Sequence, residues 1–270
     1  MRAMNRAVLL WILAVLGPQV AWAGAWLRSE GEHLYAASLS YSRADAYWDK
    51  GGDRTDAGCT FRNTWLSQTY EYGYSYHYTL FGNLGAAGYR CGGEDVSGLA
   101  DLKLGVRGRL DPFVNGRAWE LAVIVPTGYD KDRSPRLGYG RLGAEGSLTI
   151  QVRPDKKNRW QYGAGLRLWQ GAPAELLFAH LRYDRRVTRR WRLGVGLAGD
   201  FSLRNGGSEN IDFVTRDNVA EYDAVEVSAR VRYRVSRWTD FYLNLSRDVW
   251  GRNTNITERV QLGFSHSWGR

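Results

Sequence analysis

The sequence predicts an all-β fold, a transmembrane antiparallel up-and-down β-barrel of about twelve strands that follows a cleaved signal peptide. Three observations support this fold: apolar and polar residues alternate along segment after segment, aromatic residues stand beside the turns, and short connections alternate with longer ones. The alternation is strictest in Gly98–Leu110, where even positions are aliphatic or glycine and odd positions include a carboxylate and three cations. Successive strand side chains point to opposite faces, so this segment fits a wall between lipid and a watery lumen.

Composition argues against two other classes of protein. The chain has 270 residues, among them 16 Tyr, 12 Trp and 32 Gly, and a formal net charge of +9. A mean hydropathy of −0.45 argues against a helical membrane protein but suits a barrel, in which only alternate residues need be apolar. A basic soluble protein would suggest nucleic-acid binding. Here the cations stand singly on strand faces and in turns without a binding motif, so we expect no nucleic-acid partner.

Residues 1–23 have the features of a secretory signal peptide. Arg2 and Arg6 give a charged start, Val8–Leu16 an apolar run, and Ala21-Trp22-Ala23 small residues at the cleavage-determining positions. The apolar run is short for a membrane-spanning helix, which disfavours an uncleaved anchor. We therefore expect export, a mature start at Gly24, and a barrel domain over residues 24–270. A transmembrane barrel places the protein in the outer membrane of a Gram-negative bacterium.

Twelve alternating segments follow a short periplasmic lead-in at residues 24–32. Serines alternate with tyrosine and leucine in the first segment, whereas the second alternates poorly and is placed by its neighbours. The fifth is stopped by Pro126, and the later segments set aliphatic and aromatic residues against charged or small ones. The predicted strands are 33–48, 61–73, 77–90, 98–110, 117–125, 140–153, 159–169, 175–187, 191–203, 222–235, 238–249 and 258–268.

The number and spacing of these segments agree with a bacterial barrel. The count is even, and the connections after even-numbered strands are short while most others are longer, up to Arg204–Glu221. Short turns are expected on the periplasmic side, which places both termini there. The last segment closes on Phe264 and Trp268, which resembles in part the C-terminal signal that hands barrels to their assembly machinery. We therefore expect that machinery, outer-membrane lipid and lipopolysaccharide as partners.

Many tyrosines and tryptophans fall at the ends of the predicted strands. Such residues concentrate at the two interfaces of a membrane, where they form aromatic girdles. We prefer this interpretation to ordinary core packing because the residues stand beside turns. They are Tyr72, Tyr74, Tyr76, Trp119, Trp160, Trp169, Tyr183, Trp191, Trp238, Trp250 and Trp268.

The two cysteines of the chain, Cys59 and Cys91, are expected to form a disulfide. Both lie 16 residues from Ser75, around which the second and third strands turn. Directly opposed residues of an antiparallel pair bring their Cα atoms to ~5 Å, within disulfide range. The exported compartment is oxidising. The sequence therefore predicts a Cys59–Cys91 bond at the outer rim, where it ties down two loops.

The histidines do not support an enzyme. A barrel lipase or deacylase typically places a His and a Ser two positions apart on one face, and no His-x-Ser occurs. His266 has serines only as immediate neighbours, which face the opposite way. His180 shares a face with Arg182 and Asp184, which is more typical of a lumen hydrogen-bond network. No metal-ligand spacing is present, and we expect no catalytic residue, cofactor or metal.

The inward faces instead carry charge. Charged rings along a pore set its preference among solutes, whereas arginines and aspartates that pair across strands can close a narrow lumen. An open channel is the favoured interpretation, a closed structural or adhesin-type barrel the first alternative, and a lipid-modifying enzyme the last. The predicted pore-lining residues are Asp101, Lys103, Arg107, Arg109, Arg153, Arg182, Arg192, Arg230, Arg232 and Arg234.

Three segments resemble a known family. Gly98–Leu110, the strand Trp119–Gly128 that ends in Pro-Thr-Gly, and Leu137-Gly-Tyr-Gly-Arg141 are similar to the transporter-like outer-membrane family named for the meta-pathway of phenol degradation. Gly24-Ala-Trp26 and Gly51-Gly-Asp-Arg54 resemble the start of that family. The resemblance implies a barrel that passes small hydrophobic or aromatic compounds, without established catalytic residues.

The arginine-rich lumen departs from what that resemblance implies. Arginines suit an anion better than an aromatic hydrocarbon. We therefore expect a passive channel for small solutes with a mild preference for anions, such as aromatic or sugar acids.

Overall fold

The computed structural model describes residues 27–111, 116–129, 137–171, 174–203 and 221–269. Over these ranges the chain is a closed antiparallel β-barrel, and they contain no helix that is long and apolar enough to cross a bilayer. The predicted signal peptide lies outside the described residues, as does most of the predicted loop at 204–221.

Twelve long strands form the barrel wall, and a thirteenth strand of two residues pairs with the far end of the first. Each long strand pairs with its chain neighbours, and the first and last strands pair through 11 residue positions to close the barrel. The strands are β1 (His33–Trp48), β2 (Arg54–Gly73), β3 (Tyr78–Cys91), β4 (Glu94–Arg109), β5 (Arg117–Val125), β6 (Gly143–Val152), β7 (Asn158–Trp169), β8 (Leu176–Arg186), β9 (Trp191–Ser202), β10 (Asp223–Arg234), β11 (Thr239–Arg252), β12 (Thr254–Asn255) and β13 (Glu258–Trp268).

The predicted strand count and order are confirmed, and most boundaries agree within about three residues. Two connections differ. The predicted loop at 91–97 is wrong, because Gly92 and Gly93 both adopt positive φ and join β3 to β4 by a two-residue hairpin turn. The connection between the first two strands is shorter than predicted, since β2 begins at Arg54 and not at residue 61 and continues the ladder to β1.

The strictly alternating strand contains an irregularity. Between Asp101 and the β3–β4 turn, the register of these two strands shifts. Ala100 is therefore buried, while Leu99 is exposed on the outside. A bulge of this kind inserts one extra residue and reverses the alternation beyond it. The predicted inward and outward faces therefore hold from Asp101 to Arg109. They are inverted in the part of the strand that precedes Asp101.

The outer face of the barrel is apolar. Leu39, Leu262 and Leu243 lie side by side on adjacent strands and point outward, and Leu262 is 59% exposed. Apolar residues on the outside with polar residues inside are the pattern of a barrel whose outer wall contacts lipid. We refer to the end with the connections after β2, β4, β6, β8 and β10 as the short-turn end, and to the opposite end as the long-loop end.

Replacing Leu262 with arginine is expected to lower the free energy of unfolding from lipid vesicles by about 2–4 kcal/mol, the cost of a cation at the middle of the lipid face. Denaturant titration of the folded protein in vesicles, followed by tryptophan fluorescence, measures this change. Val187 is exposed in the β8–β9 turn, so Val187→Arg is the matched control, and we expect a change of about 1 kcal/mol or less. Equal losses for the two variants would contradict a lipid-facing Leu262.

Aromatic pairs surround the short-turn end. Trp160 packs with Tyr183 at 4.7 Å and Trp191 with Tyr233 at 4.6 Å between ring centroids. Asp155 stabilises the adjoining β6–β7 turn. Its carboxylate accepts hydrogen bonds from the backbone N–H groups of Asn158 and Lys157. These bonds hold the pKa of Asp155 below its ordinary value. The rings therefore occupy the level expected of a girdle at this end.

The disulfide between Cys59 and Cys91 is present, with Cα atoms 5.7 Å apart. The two cysteines are not directly opposite each other in the β2–β3 ladder. The ladder pairs Arg62 with Arg90 and would place Phe61 opposite Cys91. The bond forms since β2 leaves the regular ladder between Asp56 and Phe61 and carries Cys59 toward Cys91. The predicted pairing is thus confirmed, although the register from which it was predicted is off by two residues.

An apolar cluster lies at the long-loop end, on the side of β1 to β4. Leu137, from the connection between β5 and β6, packs into it. Tyr129 from the same connection donates a hydrogen bond to Asp101 at 2.6 Å. Tyr129 and Leu137, two described residues of this connection, therefore lie at the barrel mouth. The buried members of the cluster are Ala44, Phe61, Ala87, Tyr89, Val96 and Leu137.

Candidate functional site in the barrel lumen

The inward side chains divide the lumen into two halves. On the side of β2 to β7, acidic and basic side chains form a paired cluster that fills the space. Beside it lies a cavity of about 470 Å³, lined mainly by β1, β8 to β11 and β13, with further residues from β2, β3 and β7. The two halves differ in their balance of charge.

Arg107 is the centre of the filled half. It is 1% exposed, and its guanidinium lies 3.2 Å from Glu71 on β2 and 3.1 Å from Glu120 on β5. The alternation of β4 and its two neighbours puts all three side chains on the inner face. A buried guanidinium between two carboxylates has its charge compensated and its fork of donors satisfied.

The cluster continues along the wall. Lys103 pairs with Glu145 at 2.9 Å, and Glu145 also accepts from Arg167 at 2.7 Å. Positive and negative groups alternate along this chain of contacts, so the half carries little net charge. We call it the ion-pair network, and it comprises Arg28, Glu71, Lys103, Arg107, Glu120, Glu145 and Arg167.

The segment that precedes β1 enters the barrel. Arg28 pairs with Glu71 at 2.7 Å, and its backbone amide donates to the hydroxyl of Thr79 at 2.8 Å. Gly73 is required where this segment crosses β2, because a Cβ there would overlap the carbonyl oxygen of Ser29. The sequence predicted only a short lead-in at these residues. No pattern in the sequence indicated that it turns inward, since the contact joins residues 43 positions apart.

The cavity half has a strongly basic side near the short-turn end. Six arginines from β7 to β10 are placed on the inner faces. Asp184 on β8 and Asp240 on β11 pair with members of this set, while Glu226 on β10 pairs with Arg259 at the cavity surface. Asp184 accepts from Arg159 at 2.6 Å, and Asp240 accepts from Arg234 at 3.1 Å. We call this surface the basic wall; its arginines are Arg159, Arg182, Arg192, Arg230, Arg232 and Arg234.

Glycines on β9 make room for this wall. Gly194 and Gly196 stand between the arginines of β8 and β10, and a Cβ at either position would come within 2.6 Å of a neighbouring side-chain oxygen. Arg182 and Arg232 lie close enough to repel each other electrostatically, and Arg182 also acts on Arg230. The wall therefore concentrates positive charge that its own carboxylates only partly offset.

Arg230 is anchored by two further groups. Its Nε donates to Asn244 at 3.1 Å, and its guanidinium lies 4.9 Å from the ring centroid of Tyr242. Gly263 lets the Tyr242 ring lie flat against β13, since a Cβ there would touch the ring. These contacts hold the guanidinium at the cavity surface.

The rest of the cavity surface is rich in hydroxyl and amide groups. Gln261 donates to Ser38 at 2.9 Å, and Asn83 donates to Ser67 at 3.1 Å and Thr69 at 2.8 Å. We call this surface the serine–amide wall, and its members that line the cavity are Ser38, Ser67, Thr69, Asn83, Gln261 and Ser265.

The predicted pore-lining residues occupy different places. Arg182, Arg230 and Arg232 line the cavity, whereas Lys103 and Arg107 belong to the ion-pair network and Asp101 bonds to Tyr129. Arg109 lies over the ring of Tyr76 outside the cavity. Arg153 is exposed after β6, and Arg192 and Arg234 lie toward the short-turn end of the basic wall. Their role in a pore stays a prediction.

His180 and His266 have different surroundings. His180 lines the cavity, and its ring lies against Gly163 of β7. His266 points outward and stacks with Trp268 at 5.8 Å between ring centroids. Within the described ranges there is also no group of three or more His, Cys, Asp or Glu that could hold a metal ion.

The barrel is similar to solved structures of outer-membrane proteins. An outer membrane channel from Pseudomonas putida F1 superimposes with a TM-score of 0.76 at 16% identity, over 93% of this chain and 100% of that one. This chain has the fold of an outer-membrane β-barrel. The β domain of the Bordetella autotransporter BrkA gives a TM-score of 0.54 at 15% identity, over 88% of this chain and 100% of that one. The similarity at this level of identity concerns the fold.

No protein-family profile and no curated protein sequence matches the chain. The resemblance to the meta-pathway family thus stays a prediction. An outer-membrane barrel has a lipid-facing exterior and an enclosed lumen. Any passage of solute through it therefore involves the cavity and the two walls described above.

Proposed function

We propose that the protein is a passive channel for small solutes with a preference for anions. The observation that carries the proposal is the charge of the basic wall, where six arginines stand with Asp184 and Asp240 and three of the arginines, Arg182, Arg230 and Arg232, line the cavity. Rings or patches of like charge along a narrow lumen raise the local concentration of the opposite ion and exclude its own sign.

The contrast between the two halves of the lumen supports this assignment. In the ion-pair network each cation lies against a carboxylate, so these groups do not favour either sign of solute. The basic wall has the excess of positive charge. Arg182, Arg230 and Arg232, and not Lys103 or Arg107, are therefore the residues that we propose to set selectivity.

We place the protein in the outer membrane of a Gram-negative bacterium, with both termini and the short-turn end in the periplasm. Short turns at one end and longer connections at the other support this orientation. We propose no catalytic role, since His266 is exposed and stacks with Trp268, as an interfacial residue does.

A closed structural barrel is the second candidate. The ion-pair network, the segment at Arg28 and the apolar cluster at the long-loop end all occupy lumen space. A barrel without an open pore would show no conductance steps in a planar bilayer at any voltage. Conductance recordings of the purified full-length protein therefore separate the two candidates.

Neutralising the basic wall tests the selectivity. In the triple variant Arg182→Gln, Arg230→Gln, Arg232→Gln, we expect the permeability ratio of chloride to potassium to fall about five-fold, because charges at this range change the energy of an ion by about 1 kcal/mol or more. Reversal potentials across a KCl gradient give this ratio. Arg247 projects outside the barrel beside Glu258, and Arg247→Gln is the matched control. An unchanged reversal potential in the triple variant would exclude these arginines from selectivity.

A further inference from the structure

We propose that the cavity binds hydroxylated carboxylates, the sugar acids, with the carboxylate on the basic wall and the hydroxyl groups on the serine–amide wall. This inference rests on the proposed channel function and narrows it to one class of solute. Three features carry it: the arginine group at Arg230, the composition of the opposite wall, and His180.

The basic wall has the donors that a carboxylate requires. Arg182, Arg230 and Arg232 line one cavity and lie within electrostatic reach of each other across Gly194 and Gly196. Guanidinium groups bind carboxylates through paired N–H donors, and a site with an excess of cations gains from an added negative charge. Asn244 and Tyr242 hold Arg230 in place, which lowers the entropic cost of ordering it on a ligand.

The serine–amide wall suits hydroxyl groups and not aromatic rings. Serine hydroxyls and carboxamides both donate and accept hydrogen bonds, as sugar hydroxyls do. Tyr242 is already covered by Arg230, and the ring of Trp65 packs over Gly85 on β3. The third ring of the described lining, Trp238, is covered by Arg237, so two of the three lining rings already carry a guanidinium on one face.

His180 is an independent sign of a missing polar partner. Both of its ring nitrogens are buried and have no hydrogen-bond partner, although the ring lines the cavity beside Arg182. Buried polar groups in proteins nearly always have partners, so such a group calls for an explanation. An imidazole can donate through one nitrogen and accept through the other, so a rotation of the ring toward the cavity would let it bond to a hydroxyl of the bound acid.

The size of the cavity agrees with a monosaccharide acid. A volume of about 470 Å³ lies within the range of about 300–1,000 Å³ that holds small molecules in protein pockets. The ligand spans from the basic wall to the serine–amide wall, so that charge fixes its position and hydroxyl contacts give its specificity.

Titration calorimetry on the purified full-length protein in detergent tests the site. The probes are D-glucuronate, D-glucose, which has the hydroxyls without the charge, and benzoate, which has the charge on an aromatic ring. We expect glucuronate to bind about ten-fold or more tightly than either, because each competitor leaves buried polar groups of the site unpaired. Equal or tighter binding of benzoate, or no detectable binding of glucuronate, would overturn the proposal.

Variants assign the binding to these residues. Arg230→Gln should weaken glucuronate binding about ten-fold, and Arg230→Lys by less, since lysine retains the charge but not the fork. His180→Phe should weaken glucuronate and leave benzoate unchanged, while Arg247→Gln should change neither. Removing a cation from a crowded basic wall relieves repulsion, so we expect these variants to fold; heat-shifted electrophoresis checks it. Unchanged affinity in Arg230→Gln would refute the assignment.

The outcomes separate this inference from the channel itself. A protein that conducts ions with anion preference but does not bind glucuronate is a channel without this site. A protein that binds glucuronate but shows no conductance retains the site and loses the channel function. Each result therefore decides one of the two proposals.

Discussion

Replacing Arg107 with leucine is expected to lower the free energy of unfolding by about 3–5 kcal/mol, the cost of leaving buried carboxylates without their cation. Glu71 is fully buried and Glu120 nearly so, and both lie within 3.2 Å of the Arg107 guanidinium. Leucine fills part of the space but supplies no positive charge. Denaturant titration in lipid vesicles, with tryptophan fluorescence as the signal, measures the loss.

Two further variants make this prediction specific. Arg109→Leu changes the next inward position of β4, where the guanidinium is exposed over Tyr76, and we expect a loss of about 1 kcal/mol or less. In the variant Glu71→Gln, Arg107→Met, Glu120→Gln, the charges are removed together, so most of the lost stability should return. A single Arg107→Leu variant as stable as the unmodified protein would show that the ion-pair network does not stabilise the barrel.

Removing the disulfide is expected to lower the free energy of unfolding by about 3–4 kcal/mol, as loop-closure entropy predicts for a crosslink of this span. Cys59 and Cys91 are 32 residues apart in the chain, so the crosslink restricts the unfolded ensemble over the whole β2–β3 hairpin. The variant Cys59→Ser, Cys91→Ser should unfold at lower denaturant concentration than the oxidised protein in vesicles.

The reduced protein is the natural comparison for that variant. Dithiothreitol should lower the stability of the unmodified protein to that of the double serine variant and should leave the variant unchanged. Ion selectivity should stay the same, because the disulfide lies at the long-loop end and the basic wall toward the short-turn end. An equal effect of the reductant on both proteins would show that it acts elsewhere than on this bond.

The two proposals assign separate tasks to the two halves of the lumen. The ion-pair network joins β2, the strands β4 to β7 and the segment at Arg28, which suits a structural role. The basic wall and the serine–amide wall enclose the cavity, which suits solute binding and passage. Substitutions in the network are therefore expected to change stability, and substitutions in the basic wall to change selectivity and affinity.

Most of the barrel was predictable from the sequence because strand alternation is a local property. A period of two residues assigns the lipid and lumen faces without knowledge of any partner strand. This is why β5 and β13 begin and end at the predicted residues, and why Arg107, Arg182 and Arg230 were all predicted to point inward. Turn residues and the even number of strands then led to the closed barrel.

The pairing of cysteines shows where local patterns become insufficient. Counting from Ser75 predicted that Cys59 and Cys91 lie directly opposite each other. The β2–β3 hairpin is centred one residue later, and the bulge in β2 brings Cys59 back toward Cys91. Register depends on the geometry of the turn and on packing between strands, neither of which alternation reports. The Gly92-Gly93 turn is similar: glycine permits positive φ, and only the paired strands show that the chain uses it.

The sequence by itself determined the class of fold, the number of strands and the inward direction of the arginines. Only the tertiary structure decided which arginines face carboxylates, because Arg107 meets Glu71 across 36 residues of chain and Lys103 meets Glu145 across 42. Electrostatic compensation is a property of distance in space, whereas alternation is a property of position along the strand. The closed barrel therefore divides one set of predicted lumen cations into a structural network and a basic wall.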